Sequence, residues 1–243
     1  MMYWLIAVLA IGLIIFVHEM GHFIAGKRKG MPIATFSIGF GPRLFGFKKG
    51  GTDYRISMIP LGGYVMPKLK EVEDLHRIPI GRRVAFSLGG PMANILFAVI
   101  LLSIYNSISA GPGLMNIFVL PLIQLASLLV SITVSFGTLF TNPGSMSGLV
   151  GMASEGGSLI SGGFSNLILF MVLINVNLAE FNLLPIPVLD GGKIMMALLE
   201  KVSVKTRKAQ VPITIASLFL LIGLMFLTTV MDIIGLIAAK TFL

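Results

Sequence analysis

Residues 4–26 read WLIAVLAIGLIIFVHEMGHFIAG, an apolar run long enough to cross a bilayer that nonetheless holds His18, Glu19 and His22. Ionisable groups at membrane depth are costly, and they face a protein interior or a water-filled cavity rather than lipid. His-Glu-x-x-His on a helix is also the pattern of zinc proteases. Side chains four residues apart project from one helix face, so both imidazoles can grip one ion. A lone histidine in an apolar helix is more often a packed, hydrogen-bonded residue than a ligand. Two at this spacing, around a glutamate and inside a span, favour chemistry. This stretch decides the fold class: a membrane protein, mainly α.

The rest of the composition agrees. Of 243 residues, 56% are hydrophobic and only 12% charged, with a mean hydropathy of +0.96. A soluble domain carries roughly a quarter charged residues. There are no cysteines, so a metal here would be held by histidine and carboxylate. The net charge of +8 does not indicate nucleic-acid binding, because the cations cluster beside apolar segments. Twelve of the 18 Lys and Arg lie between Lys27 and Arg83, five between Lys193 and Lys208, and none from Val84 through Gly192. That is the distribution of the positive-inside rule, with anionic lipid headgroups as the natural partner. The N-terminal run lacks a basic n-region and a small-residue cleavage site, so it reads as a retained span rather than a signal peptide.

Four transmembrane helices are expected, at about 3–25, 88–109, 163–184 and 211–233. Lys27–Lys29 place the end of the first helix in the cytoplasm and Met1 outside. The second runs outward, the third ends inside before Lys193–Lys208, and the fourth returns outward. Ile117–Phe140 is apolar enough to span, but a single crossing there would put Lys193–Lys208 outside. Pro121, Gln124 and several Ser and Thr also dilute it. It reads as an interfacial or re-entrant segment on the outer side.

Between the first two helices, residues 32–66 have the texture of a β-hairpin. Phe36, Ile38 and Phe40 alternate with small residues, and Tyr54, Ile56 and Met58 alternate with Arg55 and Ser57, around the turn signal Lys48-Lys49-Gly50-Gly51. A free sheet edge beside a membrane site can pair with an extended peptide. A cytoplasmic hairpin that only packs is the alternative.

Catalytic zinc usually has three protein ligands and a water, so two histidines leave the set incomplete. His76, in the basic stretch DLHRIPIGRR, reads as a surface residue. Asp190 is the better third ligand. It follows Pro185 and Pro187, which interrupt the third helix, and precedes Gly191-Gly192, which permit a tight turn. Irregular backbone at this depth is tolerated only inside protein or along a cavity, and the topology brings it to the same side as His18 and His22. Glu19 fits the remaining role, a base that takes a proton from water and passes it to a leaving amine.

FVHEMGH (16–22), IPLGGYVMP (59–67), GGPMAN (89–94) and NLLPIPVLDGG (182–192) resemble, in order, the motifs of the site-2 protease family of intramembrane zinc metalloproteases. The similarity is strongest to the bacterial branch typified by the regulator of sigma-E protease. It implies zinc held by His18, His22 and Asp190, with Glu19 as catalytic base. It also implies that Asn177 and Asn182 contact the substrate backbone and that the hairpin presents the substrate. Asn94 matches a family position as well, although Gly89 and Gly90 there suit close helix packing. Substrates implied are transmembrane segments of anti-sigma factors, membrane-tethered regulators or remnant signal peptides, cut in a bacterial inner membrane. Many relatives carry a PDZ domain between the second and third spans. Here Gly111-Pro112-Gly113 leads directly into the apolar Ile117–Phe140 stretch, so a single membrane domain over residues 1–243 without a PDZ domain is expected. Glu180, between the two asparagines, departs from the expected small or apolar residue. It can serve as a neutral acid, a substrate contact or a partner of an Asn.

An ion- or proton-coupled transporter is the competing class, since broken helices with intramembrane His and Asp also carry ions. It predicts two related halves, and the sequence holds no second His-Glu pair or inverted repeat. A protein that keeps the site but does not cleave would be expected to have lost Glu19.

Overall fold

The computed structural model describes residues 2–69, 71, 73–139, 159–203 and 205–241. The described elements are α1 (Met2–Arg28), β1 (Ile33–Lys49), β2 (Thr52–Pro67), α2 (Glu73–Arg77), α3 (Ile80–Ala110), α4 (Leu120–Leu139), α5 (Phe164–Leu183), α6 (Asp190–Val202) and α7 (Lys205–Thr241). Five helical stretches are long and apolar enough to cross a membrane: Leu5–Arg28, Ile80–Ala110, Met115–Ser135, Phe164–Leu183 and Thr206–Met231. The chain is thus a mainly α, multi-pass membrane protein. α3 begins well before Leu88 because Arg82 and Arg83, which end an apolar window, are good helix formers and simply extend the helix.

α1, α3 and α5 form the centre of the bundle, with Ala7, Ile14, Ala98, Leu102, Ile168, Val172 and Val176 buried between them. Helices cannot sort from lipid by hydrophobicity, so small residues that allow close approach hold them together. The crossing of α1 and α3 is of this kind. A Cβ on Gly21 would strike the Gly89 carbonyl oxygen and lie 2.6 Å from Ala93 Cβ.

The Ile117–Phe140 stretch, expected to be interfacial or re-entrant, is helical as far as Leu139 and long and apolar enough to cross a membrane. A π-helical turn, Met115–Val119, runs into α4, and Leu125 and Ile132 join the buried core. Thr133 Oγ1 lies 3.4 Å from Glu180 Oε1 on α5, so α4 lies beside α5. The residues that seemed to dilute this segment are used inside the bundle. Asn106 Nδ2 donates to Gln124 Oε1 (2.9 Å), and Gln124 Nε2 returns a bond to Asn106 Oδ1 (3.2 Å). Pro121 has no N–H to offer Ile117 O four residues back, and Ser103 Oγ donates to that carbonyl instead (2.7 Å). Phe140 lies outside the described residues.

The hairpin forms where the alternation placed it. β1 and β2 pair from Ile33 opposite Pro67 to Lys49 opposite Thr52, closed by Gly50 and Gly51 at φ 58° and 79°. Two consecutive positive φ values are the requirement of a tight type I′ hairpin turn. Both strands bend, so Thr35–Ile38 lies beside Asp53–Ile56 as well as beside 63–66.

α6 is a short amphipathic helix outside the spans, and its last turns are fixed by charge. Glu200, 6% exposed, accepts from Arg83 of α3, from Arg207 of α7 (2.6 Å) and from His76 of α2 (Nδ1, 3.1 Å). His76 is therefore not the surface residue its basic surroundings suggested, because α2 folds back onto α6. Burial raises the Glu200 carboxyl, but hydrogen bonds from Arg83 and His76 outweigh it and hold it below its ordinary value of 4.5. A carboxylate depressed in the fold stabilises above the unfolded value, and that contribution is lost as pH falls through the folded one. Glu200→Gln leaves the buried Arg83 guanidinium without a counter-charge, and stability is expected to fall by about 3 kcal/mol. Thermal unfolding in detergent at pH 7 checks this. The variant should also lose less stability than the wild type when the pH is taken below 4.5. Equal stability of the two proteins at pH 7 would show that the cluster does not hold α6.

Candidate metal centre

The sequence of α1 sorts its side chains onto two faces. Phe16, Glu19 and Phe23 recur at i, i+3 and i+7 on one face, and His18 and His22 at i, i+4 on the other. The first face receives the sheet. Phe23 meets Phe36 and Tyr54 edge-on at 5.3 and 5.6 Å, and Phe16 meets Phe36 at 6.1 Å. The contact brings β2 down on Glu19. A Cβ built on Gly63 would lie 2.9 Å from Glu19 Cγ, so only glycine lets the strand approach this closely.

The second face meets α3 and the start of α6. His18 Nε2, His22 Nε2 and Asp190 Oδ2 form a nearly equilateral triangle, with separations of 3.1 Å between the nitrogens, 3.2 Å from His18 to Asp190 and 3.1 Å from His22 to Asp190. All three residues are buried. The remaining atoms of each are engaged. His22 Nδ1 donates to Phe86 O (2.7 Å), Lys193 Nζ donates to Asp190 Oδ1 (3.0 Å), and His18 Nδ1 lies 3.3 Å from Asn94 Nδ2. Burial alone would raise the Asp190 carboxyl. The two neighbouring imidazoles and the Lys193 ammonium outweigh it, and the carboxyl lies below the usual carboxylate range.

The three groups fit a divalent cation. Donor atoms 3.1–3.2 Å apart are slightly closer than the roughly 3.3–3.6 Å between corners of a tetrahedral site with ligand distances of ~2.0–2.2 Å, so the three residues would hold a zinc ion after a small outward shift. Phe86 O fixes His22 with its Nε2 lone pair toward the triangle. Gly90 on α3 keeps the cradle open, because a Cβ there would contact His22 Nε2 and lie 2.6 Å from His18 Nε2. Phe86, Gly90 and Asn94 are spaced at i, i+4 and i+8, so one stripe of α3 faces the histidines.

Sequence reasoning thus named the triangle and the adjacent Glu19, and the structure brings them together. Asn177 and Asn182 are not part of this cluster. Each donates its amide to its own helix, to Leu173 O (2.8 Å) and Leu178 O (2.9 Å). Glu180, between them, faces Thr133 of α4. The contacts of Phe86 O and Lys193 were missed. The first is a backbone carbonyl and has no signature in a sequence. The second could have been read from its position one turn after Asp190.

Two histidines and a carboxylate that could hold a metal ion, beside a helix long and apolar enough to cross a membrane, are the arrangement of a membrane-embedded metallopeptidase. The chain belongs to peptidase family M50, the site-2 protease family, whose sequence profile matches residues 6–227. A Clostridium perfringens protein named "Putative zinc metalloprotease" is 26% identical over 331 aligned positions, covering 96% of this chain and 99% of that protein. Proteins given the same description in Chlamydia pneumoniae and Fusobacterium nucleatum are 41% and 43% identical, over 42% and 44% of this chain. Those two alignments cover only 19% and 33% of the respective relatives.

Proposed function

We propose that this chain hydrolyses a peptide bond within a transmembrane segment of another protein, using zinc held by His18, His22 and Asp190. The observation that carries the reading is the position of Glu19, between the two histidine ligands in sequence and against the strand at Gly63 in space. Bound zinc supplies a Lewis acid that polarises a carbonyl oxygen and lowers the pKa of water toward ~7. Glu19 takes the proton from the attacking water and delivers it to the leaving amine nitrogen. The edge of β2 beside Glu19 holds the substrate extended, since a helical segment hides its carbonyls in its own hydrogen bonds. Asn177 and Asn182 exchange their bonds to Leu173 and Leu178 for the backbone groups that an unwound substrate exposes.

The positively charged segments support an orientation with Met1 outside and the metal centre toward the cytoplasm of a bacterial cell membrane. Anti-sigma factors, membrane-tethered regulators and remnant signal peptides are the substrate classes that fit. The alignment to the Clostridium protein is longer than the 243 residues of this chain, so that relative has stretches without counterpart here. This supports a single membrane domain without a PDZ insertion.

The test is cleavage of a model transmembrane peptide, with helix-weakening residues near its centre, by purified protein in detergent. A zinc chelator is expected to abolish cleavage, and added zinc to restore it. Cleavage that survives complete zinc removal would overturn the metallopeptidase assignment. A zinc-loaded protein that cuts none of the three substrate classes would overturn the substrate reading.

A further inference from the structure

The triangle constrains the protons on its histidines. Two Nε2 atoms 3.1 Å apart can address one cation only if neither carries a hydrogen, so each imidazole must hold its proton on Nδ1. For His22, the carbonyl of Phe86 absorbs that proton at 2.7 Å. For His18, the side chain in hydrogen-bond contact with Nδ1 among the described residues is Asn94, which is fully buried. Its Nδ2 lies 3.3 Å away, which would set an N–H against an N–H. Meanwhile Asn94 Oδ1 is buried without a partner. Oxygen and nitrogen of a side-chain amide exchange places by a half-turn about the last torsion, with no change in shape. That half-turn gives Oδ1 the Nδ1 proton of His18 and removes the donor–donor contact.

We infer that Asn94 is a positioning residue whose side-chain carbonyl accepts the Nδ1 proton of His18 and so keeps the Nε2 lone pair aimed at the metal. The inference rests on the zinc reading of the triangle and adds a residue to it. A metal-bound histidine generally donates its second N–H to an oxygen acceptor, and loss of that acceptor typically weakens metal binding ~10–100-fold. α3 thereby supports both imidazoles, with a backbone carbonyl for His22 and a side-chain carbonyl for His18. Gly90 lies between the two supports and leaves the room.

The experiment compares zinc affinity, by competition with a chromophoric chelator, in the full chain and in Asn94→Leu and Asn94→Asp. Leucine keeps the branched skeleton and loses the acceptor, so zinc binding should weaken ~10–100-fold. Aspartate is an acceptor only, and it should keep most of the affinity. The visible spectrum of Co²⁺ bound in place of zinc should match the wild type in the aspartate variant and shift in the leucine variant. If Asn94→Leu does not fold, Asn94→Ala supplies the same comparison. Wild-type affinity in the leucine or alanine variant would overturn the inference. So would an aspartate variant as weak as leucine, because that result assigns Asn94 a donor or packing role. A wild-type chain that binds no zinc would instead overturn the metal reading itself, which separates the two failures.

Discussion

Glu19→Gln is expected to retain zinc at the wild-type stoichiometry and to lose peptide cleavage by ~10²–10⁴-fold, the range supplied by a positioned proton-transfer group. The expectation follows from how α1 distributes its side chains. The histidines turn toward α3 and Asp190, whereas Glu19 turns toward β2, so the amide substitution leaves the donor triangle intact. Glutamine has the shape of glutamate but cannot accept a proton from water. Metal content, measured beside cleavage of the same transmembrane peptide, separates the two roles. Retained cleavage in the variant would show that another group moves the proton. Loss of zinc along with activity would place Glu19 among the ligands.

Gly90→Ala should act in the opposite way, removing metal without removing any ligand. The new methyl would sit against both Nε2 atoms, 2.6 Å from that of His18. Neither side can yield easily. The Gly21–Gly89 crossing already brings α1 and α3 into backbone contact, and Phe86 O restrains the His22 ring. Zinc affinity is expected to fall by at least the ~10–100-fold seen when a single outer support is lost. Alanine is the better helix former by roughly 0.8–1 kcal/mol, so helix propensity alone predicts no loss of fold. A Gly90→Ala protein with full zinc content would show that α3 lies farther from the histidines than this geometry places it.

These residues divide by how visible they are in a sequence. The grouping of His18, His22 and Asp190 was legible because metal binding demands residue types at fixed spacing, and because the cation clusters led both segments to be expected on one side of a membrane. The spans were legible because about 20 apolar residues have few other uses. α4 was harder. Gln124 and Ser residues look like signs of an interface until their partners are known, and Asn106 and Ser103 lie on another helix. The Glu200 cluster was not legible at all. Glu200 is separated by 124 residues from His76 and by 117 from Arg83, and nothing local distinguishes an exposed cation from one that folds back onto a buried carboxylate. Asn94 stood in a recognisable motif, but its use depends on which histidine it faces.

The same cluster has a mechanical consequence. Asp190 begins the helix that Glu200 nearly ends, and ten residues at ~1.5 Å rise make a stiff arm of roughly 15 Å between them. Pivoted at the Glu200 end, a tilt of only about 5° would carry the Asp190 end by about 1.3 Å over that length, more than half of a ~2 Å metal–oxygen bond. The placing of Asp190 against His18 and His22 therefore depends on an ionic cluster ten residues away along the same helix.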